Sequence, residues 1–93
     1  MSNVVGAYKS LLESFLVQSI SAIEFQSIYV DRFKNEGHLD EQVFELLDEL
    51  FGDVDSFTTD RYLLAHRPDF YLDEAQLRKK VQVALDRLAA FRA

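Results

Sequence analysis

Apolar residues recur at helical spacing along nearly the whole chain, and only three glycines and one proline interrupt them. A period near 3.6 with so few breakers restricts the fold to packed helices, because each stripe must be buried against another element. Val4, Val5, Tyr8, Leu11, Leu12, Phe15 and Leu16 line one face of a first helix, with Asn3 placed to cap it. Ser21 and Glu24 have capping-box spacing, and Ile20 with Phe25 has hydrophobic-staple spacing, so a second helix starts there. It turns Phe25, Tyr29, Val30 and Phe33 inward and stops near Gly37, which is read as its left-handed terminator.

Asp40 is placed to cap a third helix whose arc is Val43, Leu46, Leu47, Leu50, Phe51, Val54 and Phe57. That arc passes through Gly52, so the glycine is read as internal, at about 1 kcal/mol relative to alanine. Residues 58–72 lose the period and contain Arg67-Pro68-Asp69, a loop signature. Asp73 and Gln76 repeat the capping box, with Leu72 and Leu77 as staple. The last stripe is Leu77, Val81, Ala84, Leu85, Leu88 and Phe91. The expectation is all-α: one domain over residues 1–93, an antiparallel four-helix bundle with helices at about 4–17, 22–36, 41–57 and 74–91.

Charge is segregated. Glu36 to Asp60 holds nine carboxylates and no lysine or arginine, whereas the rest of the chain holds seven acids and ten bases. On the third helix Glu41, Glu45, Glu49 and Asp53 follow at i,i+4 steps, with Asp48 and Asp55 beside them. Each like-charge pair costs about 0.2–0.5 kcal/mol in an isolated helix, and no base within this one offsets it. A solvated face that aids solubility is the plainest account of such a row. Its one sign argues further for a cationic partner, since opposite patches steer encounter, and the most cationic protein pockets are those that hold nucleic acid.

The other chemistries fare worse. Without cysteine there is no thiolate nucleophile, disulfide or thiolate metal site. Asp53-Val54-Asp55 opens like a calcium loop, but Thr58 stands where glycine is needed and Leu64 where the last glutamate should be. His38 and His66 sit in connecting regions, and no Glu-x-x-His pair exists. Phosphate loops and serine elbows are missing too, so neither an enzyme nor a cofactor is expected. The Arg78-Lys79-Lys80 run reads as a helix face, with Glu74 placed to pair with Arg78. No span of membrane length and no leader pattern is found, and a cytoplasmic protein is expected, with no direct contact to nucleic acid or membrane. In the loop, Tyr62, Phe70 and Tyr71 lie among Asp60, Asp69 and Asp73, a mixture typical of interface centres. Phe70 is expected to cover the end of the core.

Ser19-Ile20-Ser21-Ala22-Ile23-Glu24-Phe25, running on to Tyr29, Asp31-Arg32 and Gly37, resembles the second helix of colicin D-type immunity proteins. That family includes immunity proteins of related bacteriocins and of contact-dependent inhibition toxins. Glu49-Leu50-Phe51 with Val54, Asp55, Phe57 and Asp60 is a second match, and Asp73 to Leu88 a third, together covering roughly residues 10–90. The loop at 61–70 is longer than in the shortest family members. The Asp-x-x-Tyr-Tyr-Pro motif of the immunity proteins against colicin DNases is missing here.

The resemblance implies a four-helix bundle that blocks the active site of a cognate ribonuclease, typically a tRNase. Carboxylates at the end of the third helix and in the following loop would enter the cleft that holds tRNA phosphates, a role that falls by position on Asp55 and Asp60. Charge and resemblance together give the expected toxin-binding set Asp48, Glu49, Asp53, Asp55, Asp60, Tyr62 and Asp69. The expected partner is the C-terminal nuclease domain of a bacteriocin or contact-dependent toxin, bound 1:1. The alternative is an acidic helical adaptor unrelated to toxin immunity.

Overall fold

A computed structural model describes residues 4–91, and these form five helices: α1 Val4–Leu16, α2 Ala22–Lys34, α3 Glu41–Asp55, α4 Arg61–His66 and α5 Glu74–Ala89. Asn3, read as the cap of α1, lies outside the described residues. The four long helices pack as a ring of neighbours, α1 against α2 and α5, and α3 against α2 and α5. Their stripes meet in one core, where Tyr8, Leu12, Phe15, Phe25, Tyr29, Leu47, Val54, Leu77, Val81 and Leu88 are fully buried. No buried side-chain nitrogen or oxygen among the described residues lacks a hydrogen-bond partner.

The helix starts follow the local chemistry. Ser21 Oγ accepts from Glu24 N at 3.1 Å while Ser21 N donates to Glu24 Oε1 at 3.0 Å. Asp73 and Gln76 reciprocate in the same way at 2.8 and 3.0 Å. Asp40 Oδ1 accepts from Gln42 N at 3.0 Å, covering one of the free donors of α3.

The helix ends differ from the sequence reading. α2 stops at Lys34, two residues before the expected end at 36. Asn35 closes it, with Asn35 Nδ2 donating to Asp31 O at 2.8 Å, and Gly37 is not left-handed. The left-handed residue is Gln18, at φ 64°. Gln18 N donates to Phe15 O at 3.0 Å and Ser19 N to Ser14 O at 2.8 Å, the bond pair of a Schellman motif. α3 ends at Asp55 rather than 57, so Phe57 leaves the helix yet stays buried. α5 ends at Ala89 rather than 91, and α1 at Leu16 rather than 17.

The segment read as plain loop contains α4. Asp60 Oδ1 accepts from Tyr62 N and Leu63 N at 2.8 and 3.2 Å, and this cap starts a six-residue helix with no buried residue. A helix so short has no full apolar stripe, which is why periodicity missed it. The excursion is tied at its neck by a parallel bridge between Phe57 and Leu72, with Thr58 N donating to Leu72 O and Leu72 N to Ser56 O, both at 3.0 Å. Phe70 is 53% exposed, contrary to its expected place over the core. Its ring meets Tyr71 edge-on at 4.9 Å and lies under Arg67 at 5.5 Å, so local partners hold it instead.

Candidate partner-binding surface

α3 carries the carboxylates because its core-facing arc is wide and every polar position left over is acidic or glutamine, Gly52 apart. Packing against α2 on one side and α5 on the other divides those carboxylates into three groups. Glu41, Glu45 and Asp48 are exposed on the outer surface, and none is in an ion pair among the described residues. Glu49 and Asp53 turn toward α5, where they share a groove with Leu46, Leu50, Lys80, Val83, Ala84 and Arg87. Asp55 turns toward α2 and lines a depression with Gln26, Ser27, Val30, Asp31 and Lys34.

The α5 side supplies bases that the helix itself lacks. Arg87 Nη1 donates to Glu49 Oε2 at 3.1 Å. Burial raises the pKa of Asp53; the Lys80 charge opposes the rise, and the Glu49 carboxylate adds to it. Like-charge repulsion along the row is therefore relieved by tertiary contacts at its C-terminal half, and the pair exposed to solvent is worth well under 1 kcal/mol.

The end of α3 is held from α2. Gln26 Nε2 donates to Val54 O and to Phe57 O, each at 3.0 Å, so one amide closes two terminal carbonyls and fixes where Asp55 and the exiting chain lie. Tyr29 Oη donates to Leu47 O at 2.7 Å in the core between the same helices. Burial, followed by Tyr8, Asp48 and Asp53, raises the Tyr29 pKa far above the usual phenol value. Tyr8 is raised as well, by burial and then by its hydrogen bond to Glu36 Oε1 at 3.0 Å. Both hydroxyls therefore stay protonated and act as donors.

The expected site residues do not form one face. Asp55 stands on the α2 side of α3, Glu49 and Asp53 on the α5 side, and Asp48 on the exposed surface two turns before Asp55. Asp60 is exposed, and its Oδ1 is engaged in capping α4. Tyr62 is 67% exposed, its ring stacked 3.9 Å from that of His66, whose Nδ1 lies 2.9 Å from Tyr62 O. Asp69 is exposed in the turn at 68–70.

Arg78 of the basic run is structural: it pairs with Glu74 and donates to Phe15 O at 3.1 Å. Phe44 escaped the sequence reading. It is 44% exposed on the α2-facing edge of α3, and its spacing from Asp48 and Phe51 is the signal that marks it. Among the described residues, no three of His, Asp and Glu converge as a metal site, and no helix is long and apolar enough to cross a membrane.

The described residues are helical, with no named strand, and α3 carries most of the exposed carboxylates of the acidic stretch. The sequence model for bacterial self-protective colicin-like immunity matches residues 1–88, and the chain belongs to that family. The family is one of inhibitors, and membership points to toxin immunity with a colicin-like toxin as partner. No curated protein and no solved structure matches the chain.

Proposed function

We propose that this protein neutralises a nuclease toxin, a tRNase of colicin D type, by covering its active site in a 1:1 cytoplasmic complex, with no catalytic step of its own. The four long helices are read as one antiparallel bundle that presents α3 to the toxin. The observation that carries the reading is the set of exposed carboxylates on α3 that lack an ion-pair partner among the described residues, Glu41, Glu45, Asp48 and Asp55, in a chain of the colicin-like immunity family. A cleft that cuts RNA must be cationic to hold phosphates, and its bases also serve acid–base chemistry. Carboxylates that enter it replace the phosphates and exclude the substrate. Removing one partner of a desolvated charge pair there costs about 2–5 kcal/mol in binding.

The test is co-expression with the tRNase domain of the cognate toxin, followed by tRNA cleavage assays. Asp48→Lys with Asp55→Lys should abolish protection while the helical circular-dichroism signal persists. Asp60 is tested as Asp60→Asn, because asparagine still caps α4 and only the charge is lost. Glu13→Lys on α1 is the control and should protect normally. Protection unchanged by the double reversal would overturn substrate mimicry by α3. Tight binding of a cationic protein with no inhibition of any nuclease would identify an adaptor instead.

A further inference from the structure

Phe44 ends a column of aromatic rings that starts in the core. Phe15 stacks on Phe25 at 4.5 Å, Phe25 meets Tyr29 at 5.8 Å, and Tyr29 meets Phe33 at 6.2 Å. Phe33 then packs on Phe51 at 5.2 Å and on the exposed Phe44 at 5.8 Å, with 24° between the last two planes. A ring backed in this way is pre-organised and gives up little freedom when a partner covers it.

Along α3 the same edge reads Phe44, Asp48, Phe51, Asp55, at steps of four, three and four residues, so ring and carboxylate alternate along one ridge. Asp48 and Asp55 are exposed and form no ion pair among the described residues; Lys34 shares the Asp55 depression but lies beyond ion-pair distance. On the opposite shoulder Glu49 is paired with Arg87, and Lys80 acts on Asp53. Of the α3 carboxylates without an ion-pair partner among the described residues, Asp48 and Asp55 are therefore the two that share the ridge of its exposed ring.

We infer that this ridge seats an arginine-bearing segment of the partner protein, with one guanidinium lying on Phe44 and pairing with Asp48, and a second cation meeting Asp55. The partner's identity as a toxin rests on the reading above; the arginine chemistry does not. A guanidinium is flat and weakly hydrated, so it can stack on a ring and fork to a carboxylate together, whereas an ammonium is a compact, strongly hydrated point charge. The fold itself contains this arrangement: Arg78 lies 4.5 Å over the Phe15 ring and pairs with Glu74 at 3.0 Å. From Phe44 to Asp55 the helix rises about 16 Å, the reach of about five extended residues. Two copies pairing through this same ridge are disfavoured, since that would set acid against acid.

The test titrates the isotope-labelled protein with two short peptides of identical length, one with two arginines separated by glycines and one with lysines in their place. Amide shifts should centre on Phe44, Asp48, Phe51 and Asp55, and the arginine peptide should bind several-fold more tightly. Phe44→Leu, checked for an unchanged helical signal, should bring the arginine peptide down to the lysine level, and Asp48→Asn should weaken both. Shifts centred on Glu49 and Asp53 or on Glu41 and Glu45, equal affinity for the two peptides, no binding, or indifference to Phe44→Leu would overturn the inference.

A parallel measurement uses the cognate toxin domain of the reading above. There Phe44→Leu should weaken binding about tenfold. If the wild-type protein fails to inhibit that toxin, the toxin reading falls and the peptide result still decides the arginine seat. If it inhibits and Phe44→Leu binds as tightly, the seat is wrong and the toxin reading stands.

Discussion

Arg78 holds Phe15 twice: its guanidinium lies 4.5 Å over the Phe15 ring and Arg78 Nη1 donates to the Phe15 carbonyl at 3.1 Å. The same group reaches Leu16 O at 3.4 Å and pairs with Glu74, so one side chain of α5 closes the end of α1. Arg78→Met should destabilise the domain by about 1–2 kcal/mol, the combined scale of a charged hydrogen bond at a part-exposed site and a cation–ring contact. Arg78→Lys should recover less than half of that, because an ammonium does not combine stacking with the fork. Urea unfolding measures both; a methionine variant as stable as wild type would show the contact to be idle.

Gln18 adopts a conformation that glycine reaches without strain, and Gly52 occupies one that alanine prefers. Left-handed backbone costs a residue with a Cβ about 1–2 kcal/mol. Gln18→Gly should therefore raise stability by up to about 1 kcal/mol, once glycine's greater unfolded-state entropy is subtracted. Gly52 lies inside α3, and a Cβ added there meets no atom within 4 Å. Gly52→Ala should add about 1 kcal/mol. The two sites lie on separate elements, so the gains should sum in a thermal melt of the double variant.

Gln26 works by donating both amide hydrogens, which makes its exchange for glutamate informative. An ionised carboxylate would face Val54 O and Phe57 O with nothing to donate. The protonated acid could still donate one bond, so the folded protein would favour the proton and raise that group's pKa. The stability of Gln26→Glu should be greatest below the ordinary glutamate pKa of about 4.3 and fall as pH rises through the raised value. At neutral pH the loss should be about 1–3 kcal/mol, because Phe57 O loses its donor while Val54 O keeps only its bond from Phe57 N, and a carboxylate faces both. A variant whose unfolding midpoint tracks wild type across pH would show that the clamp does not hold α3.

Asp53 and Glu24 should give the domain opposite pH limbs. Burial raises Asp53, so the stability this group contributes is complete below its unfolded pKa and is lost as pH rises through the folded one. Asp53→Asn should accordingly be at least as stable as wild type at neutral pH, with the difference shrinking as pH falls toward about 4. Glu24 is lowered by the backbone and hydroxyl of Ser21, so its contribution holds at neutral pH and disappears as pH falls through the lowered value. Glu24→Gln, which keeps the capping geometry, should flatten the acid limb. Midpoints recorded against pH for the three proteins settle both signs.

What the sequence determined by itself is what neighbours in the chain control. The boxes at Ser21 and Asp73, the cap at Asp40, the core stripes and the interior place of Gly52 each depend on residues within a turn or two. Gly37 misled that reading, because a glycine permits a left-handed end without requiring one, and Asn35 closes α2 first. α4 was illegible because its stability comes from a cap and a bridged neck, with no stripe of its own.

The acidic row was visible as composition, yet its division into a shoulder matched by Arg87 and Lys80 and a ridge shared with Phe44 was not. Tertiary structure alone decided that, because a carboxylate's partner and a ring's exposure are fixed by which helix lies against it. Arg87 is 38 residues from Glu49 in the chain and Phe33 lies on a different helix from Phe44, and only packing the apolar stripes brings them within reach.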